Sequence, residues 1–194
     1  MGRWQPDARG RLGKAAIELY DERGYEQTTV AEIAERAGLT ARTFFRYFTD
    51  KREVLFAGSD ALGAELVRVV DAAPATDDAL TVVAAALTRV AVLIGDDHAF
   101  SARRQAIISA NSDLRGRELT KLASWSRTLS DGLRRRGVQE PAASLAAETG
   151  VVVFRVAFDQ WLAGPARAQL TESVYESFAQ LRAVLGAGTA RADQ

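Results

Sequence analysis

The sequence predicts an all-α protein of about nine helices, with a small three-helix module at the N-terminus and a larger helical region behind it. Three observations predict it. Apolar residues recur at spacings of three and four from residue 7 almost to the end of the 194-residue chain. No stretch alternates apolar and polar residues as a half-buried strand would. Glycines and prolines fall where the periodic runs stop.

Residues 7 to 23 place Leu12, Ala16, Leu19 and Tyr20 on one stripe, and Gly24 follows as a C-terminal stop. Thr29-Val30-Ala31-Glu32 is a capping box ahead of Ile33, Ala34 and Ala37, and Gly38 closes that short helix. Thr40 offers a fresh N-cap for a third helix from Ala41 to about Phe48. Two short helices joined by a turn of roughly four residues containing a glycine form a helix-turn-helix. Thr49 or Asp50 caps next, and a long fourth helix is expected from Lys51 to Ala73, with Gly58 and Gly63 inside it and Pro74 ending it. Further helices are expected over Ala79 to Ile94, His98 to Ser109, Asp113 to Arg136, Pro141 to Ala163 and Arg167 to Leu185. The domains divide as residues 1–55, residues 56–185 and a flexible tail over 186–194.

Composition narrows the function. The chain is 47% hydrophobic and 26% charged, which is ordinary for a folded protein. No apolar run approaches the roughly 18 residues that would span a bilayer, and MGRWQPDARG lacks the apolar stretch of a secretory signal, so a cytoplasmic protein without a membrane partner is expected. With no cysteine and His98 as the single histidine, thiolate metal sites, disulfides and a Ser-His-Asp relay have no residues to use. No phosphate-cradling glycine loop follows a strand and no Gly-x-Ser-x-Gly is present. No enzyme activity, metal or cofactor is expected. Net charge is zero, yet Arg36, Arg42, Arg46, Lys51 and Arg52 face only Asp50 within one short segment, a local cationic patch suited to a polyanion.

That patch has two faces. On a helix from Ala41 to Phe48, Phe44 and Phe48 lie four apart and are expected in the core against Ile33 and Leu39. The opposite face offers Arg42, Thr43 and Arg46, side chains that can donate to base edges in a major groove. Tyr47, Lys51 and the helix starts at Thr29 and Thr40 suit phosphates, which set register without specifying sequence.

Gly-aromatic, Thr-Thr-Val, Ala-Gly-Leu-Thr, Thr-Phe-Phe-Arg-Tyr-Phe and Asp-Lys-Arg-Glu follow one another from Gly24 to Leu55. This run closely resembles the N-terminal DNA-binding domain of the TetR family of bacterial transcriptional regulators. The resemblance implies phosphate contacts at Thr29, Thr40, Tyr47 and Lys51, and Ala41, Arg42, Thr43 and Arg46 at or near the bases. Phe45 departs from the pattern, because many members carry there a tyrosine whose hydroxyl meets a phosphate. It stays among the backbone-facing positions, packing on sugar or a thymine methyl instead.

The resemblance further implies a ligand-responsive repressor that binds double-stranded DNA at a palindromic operator as a homodimer and is released by a small hydrophobic effector. The stretch from Ala102 to Gly137, with Trp161, resembles more loosely the subclass that regulates mycofactocin clusters, whose effector domain takes acyl-CoA-like ligands. On that basis Phe100, Ile107, Trp125, Leu129, Phe154 and Phe158 are expected to line an acyl tunnel, with Arg103, Arg104 or Arg115 meeting its polar end. The alternative is that these aromatics are ordinary core and the arginines solvated. Dimerisation is expected through the last two helices, using Val174, Phe178, Leu181 and Leu185. Arg155 and Asp159 either form ion pairs with each other across the two subunits or pair along their own helix. A soluble helical carrier of acyl ligands without sequence-specific DNA binding is the alternative function.

Overall fold

A computed structural model describes residues 7–95 and 97–192. Among the described residues there are nine α-helices and no strand. They are α1 (Ala8–Arg23), α2 (Val30–Arg36), α3 (Ala41–Tyr47), α4 (Ser59–Ala72), α5 (Ala79–Ile94), α6 (His98–Ala110), α7 (Ser112–Arg135), α8 (Ala142–Ala163) and α9 (Leu170–Ala192). The fold class expected from periodicity is the one observed. No single helix among the described residues is long and apolar enough to cross a membrane.

The expected helix from Lys51 to Ala73 is two elements. A 3-10 turn over Glu53–Phe56 comes first, then Ala57 and Gly58, and only then α4. Gly58 has φ +88, a left-handed conformation that breaks the helix and that a side chain would strain. Ser59 Oγ donates to the Phe56 carbonyl at 2.7 Å across the break. The expected tail over 186–194 begins inside α9, which continues as helix to Ala192; residues 193 and 194 lie outside the described residues.

The chain divides into two compact units. The first takes Met1–Ser59 and Ala99–Glu118. Its core joins Leu12, Leu19 and Tyr20 of α1, Ile33 of α2, Phe44 and Phe48 at α3, Val54, Leu55 and Phe56, and Ile107, Ile108 and Leu114 of the α6–α7 corner. Arg104 is held there: its Nε donates to the Leu55 carbonyl at 2.6 Å, its Nη1 lies 3.4 Å from Glu118, and its guanidinium sits 5.4 Å from the Phe56 ring centre.

The second unit takes Asp60–His98 and Leu119–Gln194. Its core is built from α4, α5, the latter part of α7, α8 and α9, around Leu66, Leu87, Leu129, Phe154, Trp161 and Val174. Two glycines set its closest approaches. A Cβ on Gly150 would lie 2.2 Å from a Val83 methyl, and one on Gly132 2.7 Å from a Val70 methyl, so α8 meets α5 and α7 meets α4 where no side chain intervenes. Arg136 donates to the carbonyls of Val70, Ala73 and Pro74 and so caps the end of α4.

Candidate nucleic-acid interface

The helix-turn-helix is assembled by local caps. Thr29 accepts from the Glu32 amide at 3.3 Å while the Glu32 carboxylate accepts from the Thr29 amide at 2.8 Å, the reciprocal pair that starts α2. Gly38, at φ +66, turns the chain, and the Leu39 amide donates to the Ala34 carbonyl at 2.8 Å. Thr40 accepts from the Thr43 amide at 3.2 Å and starts α3. Phe44 and Phe48 then point inward, 0% and 2% exposed. Their burial, worth about 2–3 kcal/mol each, is what holds so short a helix in place.

The other face of α3 is bare. Arg42 and Arg46 are exposed, Phe45 is 58% exposed and Tyr47 37%. Arg42, Thr43, Phe45 and Arg46 line a surface concavity of about 580 Å³. Neither arginine has a carboxylate partner among the described residues. The two other arginines of the segment do. Arg36 is paired with Glu22 at 2.8 Å and lies 3.7 Å from Glu18, and its hydrogen bonds hold the Glu22 carboxyl below the usual carboxylate range. Arg52 is paired with Asp50 at 2.9 Å. The patch counted from the sequence therefore contracts to two arginines on one helix face.

Lys51 is engaged within the first unit. Its ammonium donates to the carbonyls of Tyr25, Glu26 and Thr28 at 2.8, 3.1 and 3.0 Å and lies 4.4 Å from the Tyr25 ring centre. All three of its N–H donors are engaged in these contacts. Lys51 thus ties the chain after α3 to the turn before α2, and Tyr20 reinforces it by donating to the Lys51 carbonyl at 2.6 Å. Thr29 likewise spends its hydroxyl on Glu32, at 2.8 Å. Sequence reading missed this clamp because its partners are backbone carbonyls far back in the chain; the Gly-aromatic pair at residues 24 and 25 was the only trace of it.

The expected pocket residues separate. Trp125, Leu129, Phe154 and Phe158 belong to the second unit, where Trp125 and Phe154 meet edge to face at 5.6 Å and Phe154 stacks on Phe158 at 6.4 Å. Trp161 continues the row, 5.6 Å from Phe158, with its indole N–H on the Ala168 carbonyl and His98 packed against it at 5.1 Å. Phe100 and Ile107 pack instead in the core of the first unit, and Arg104 is spent there on Leu55 and Glu118. Arg103 is exposed and donates back to the Ala99 carbonyl. Arg115 is exposed, with one N–H on the Ser109 carbonyl at 2.6 Å.

The expected dimer residues also divide. Val174 and Phe178, 0% and 3% exposed, are in the protomer's own core, and Leu181 packs against that core. They face inward because the stripe carrying them is the one α9 lays on α5 and α8. Leu185, Arg155 and Asp159 are exposed. So are Leu145, Val152 and Val156 of α8 and Tyr175 and Val184 of α9, of which only Val152 shares the Arg155–Asp159 stripe that periodicity picks out.

A helix-turn-helix unit with a bare cationic face, joined to a second all-helical unit, defines a DNA-binding transcription regulator. The family model described as bacterial regulatory proteins, tetR family, matches residues 12–57, and that of the MftR C-terminal domain matches residues 77–186. The chain belongs to the TetR family, with a C-terminal domain of the MftR type, and is a regulator of transcription rather than an enzyme. It is 24% identical over 197 residues to MftR, a mycofactocin biosynthesis transcriptional regulator of Mycobacterium tuberculosis, covering 100% of this chain and 97% of that protein. It is 35% identical over 82 residues to the HTH-type transcriptional regulator TcmR of Streptomyces glaucescens, a match spanning 42% of this chain and 36% of that one. Among solved structures, FadR from Bacillus subtilis in complex with stearoyl-CoA shares the fold, with a TM-score of 0.59 at 21% identity over 89% of this chain and 96% of that one.

Proposed function

We propose that the protein is a homodimeric repressor that reads a palindromic DNA operator with α3 and is released from it by a small hydrophobic effector, an acyl-CoA. The observation that carries the DNA reading is the bare face of α3. Buried Phe44 and Phe48 fix the helix, and Arg42, Thr43 and Arg46 stand free of the carboxylates that neutralise their neighbours. Such a helix fits a major groove, and two copies related by a two-fold axis reach successive grooves about 34–36 Å apart. Thr40 and Tyr47 at its two ends serve the phosphates. The exposed apolar side chains Leu145, Val152, Val156 and Tyr175 support a subunit interface on α8 and α9, since isolated monomers rarely leave so much apolar surface on adjoining helices.

The effector reading rests on the likeness to MftR and to the acyl-CoA-bound FadR, and on the row Trp125, Phe154, Phe158, Trp161, apolar side chains of the kind an acyl chain packs against. An effector that prefers a conformation with wrongly spaced recognition helices removes the protein from DNA by its differential affinity and no more. The test is selection of bound duplexes from a random pool at moderate salt, then titration of the recovered operator complex with stearoyl-CoA. One palindrome, released by the acyl-CoA, is the expected result. No enrichment at any salt concentration sinks the DNA reading, and an operator indifferent to saturating stearoyl-CoA sinks the effector reading.

A further inference from the structure

The two free arginines of α3 are not equivalent. Arg46 Nη2 donates to the Tyr47 hydroxyl at 3.0 Å, and its guanidinium carbon lies 4.8 Å from the Tyr47 ring centre. The guanidinium is thus parked on its neighbour's ring rather than extended outward. Having accepted from Arg46, the Tyr47 oxygen still has its own O–H to donate, and Arg46 keeps further N–H donors. Two adjacent donors on one rigid aromatic support suit the several acceptor oxygens of a phosphate. They do not suit the two fixed acceptors of a guanine edge, which ask for an outstretched fork.

Arg42 has no such tether and no carboxylate beside it among the described residues, so it remains free to extend. Three residues on, and so on the same face, stands Phe45. Its ring is 58% exposed, carries no polar atom, and is fixed edge-on against the fully buried Phe44 ring at 5.6 Å and 82°. A rigid apolar ring held into the same concavity as Arg42 and Thr43 has one complementary feature in a major groove, the C5-methyl group of thymine.

Resting on the proposed reading of DNA by α3, we infer that Arg42 and Phe45 are the sequence readers of this protein and that Arg46 with Tyr47 is a phosphate clamp. Each operator half-site then holds a guanine within one or two base steps of a thymine whose methyl group packs on Phe45. This moves Arg46 from the base contacts to the backbone contacts. It also settles Phe45 on the methyl rather than on sugar.

The experiment starts from the selected operator and replaces each thymidine in turn with deoxyuridine, which removes the methyl and nothing else. For the unaltered protein, one position per half-site is expected to lose about fourfold in affinity, the equivalent of one buried methyl. In Phe45→Ala that position becomes insensitive, and in Phe45→Leu, which keeps an apolar contact, part of the discrimination returns. Arg42→Ala is expected to flatten the preference for guanine at one position. Arg46→Ala and Tyr47→Phe are expected to weaken every sequence alike, with Arg46→Ala lowering the slope of affinity against salt by about one. Melting temperatures of all variants are measured alongside, to separate these effects from misfolding. Deoxyuridine without effect at every thymidine, or an effect equally large in Phe45→Ala, overturns the methyl contact. Loss of base preference in Arg46→Ala with an unchanged salt slope overturns the clamp. Failure to recover any operator from the wild-type chain overturns the reading on which both stand.

Discussion

Arg104, on the sixth helix, donates its Nε–H to the carbonyl of Leu55 at 2.6 Å, and so fastens the α6–α7 corner to the chain segment that follows the recognition helix. Burial works to lower the pKa of this guanidinium, and Glu118 opposes it at 3.4 Å. Gln105 also donates to Glu118, at 3.1 Å. Removing Arg104 leaves a carboxylate and a carbonyl without their cation in a nearly closed environment.

Arg104→Met is therefore expected to cost about 3 kcal/mol of stability, the low end for breaking a buried pair. Urea unfolding measures it. Adding Glu118→Gln to that variant should recover part of the loss, because the abandoned charge is gone; a double variant no better than the single one would mean that packing on Phe56, not charge, is what Arg104 supplies.

Lys51→Met removes three hydrogen bonds to carbonyls and the cation from the Tyr25 ring. A loss of about 2–3 kcal/mol is expected. The salt dependence of operator binding should stay as it was, since the donors of this ammonium are engaged with carbonyls of its own chain. A salt slope reduced by about one with an unchanged melting temperature would place Lys51 among the phosphate contacts.

Gly150→Ala drives a methyl to within 2.2 Å of Val83 and 3.3 Å of Leu87, on the rigid contact between α5 and α8. Overpacking of this kind costs about 1–3 kcal/mol. Thermal melting should show it, and Val83→Ala in the same chain should relieve it, although that residue alone is destabilising when cut back. Should Gly150→Ala melt at the wild-type temperature, the close approach of the two helices is wrong.

Glu65 of α4 accepts from Arg68 on its own helix and from Arg89 of α5, each at 2.7 Å. The hydrogen bonds from Arg68, then Arg89, hold its pKa at about 2 against an ordinary 4.5. A carboxyl lowered in the folded state stabilises fully above its unfolded pKa and loses that contribution as pH falls through the folded value. Between about pH 4.5 and pH 2 the urea midpoint should thus fall less steeply in Glu65→Gln than in the wild type. Identical curves would show that the two arginines do not act on this carboxyl in solution.

Local features carried the sequence reading where it succeeded. The capping box at Thr29, the N-cap at Thr40, the turn at Gly38 and the division of α3 into a Phe44–Phe48 face and an Arg42–Arg46 face each depend on residues within one helical turn of one another. Helix existence was legible for the same reason. Gly58 was visible too, but the apolar period continues on both sides of it, and period alone does not reveal a positive φ.

By itself, then, the sequence determined an all-α chain, a helix-turn-helix near its start, its TetR-family character and the helix that faces outward with arginine. Only the tertiary structure decided which charges remain available. Arg36 is neutralised by a glutamate 14 residues earlier, and Lys51 is consumed by a carbonyl 26 residues earlier. It decided that Phe178 and Val174 face the protomer's own core while Tyr175 faces out, and that residues 99–118 belong with the DNA-binding unit. The physical reason is one of range. Caps, turns and amphipathic stripes are interactions of near neighbours in the chain, whereas a charge is spent, or an apolar face covered, by whatever segment the fold brings against it.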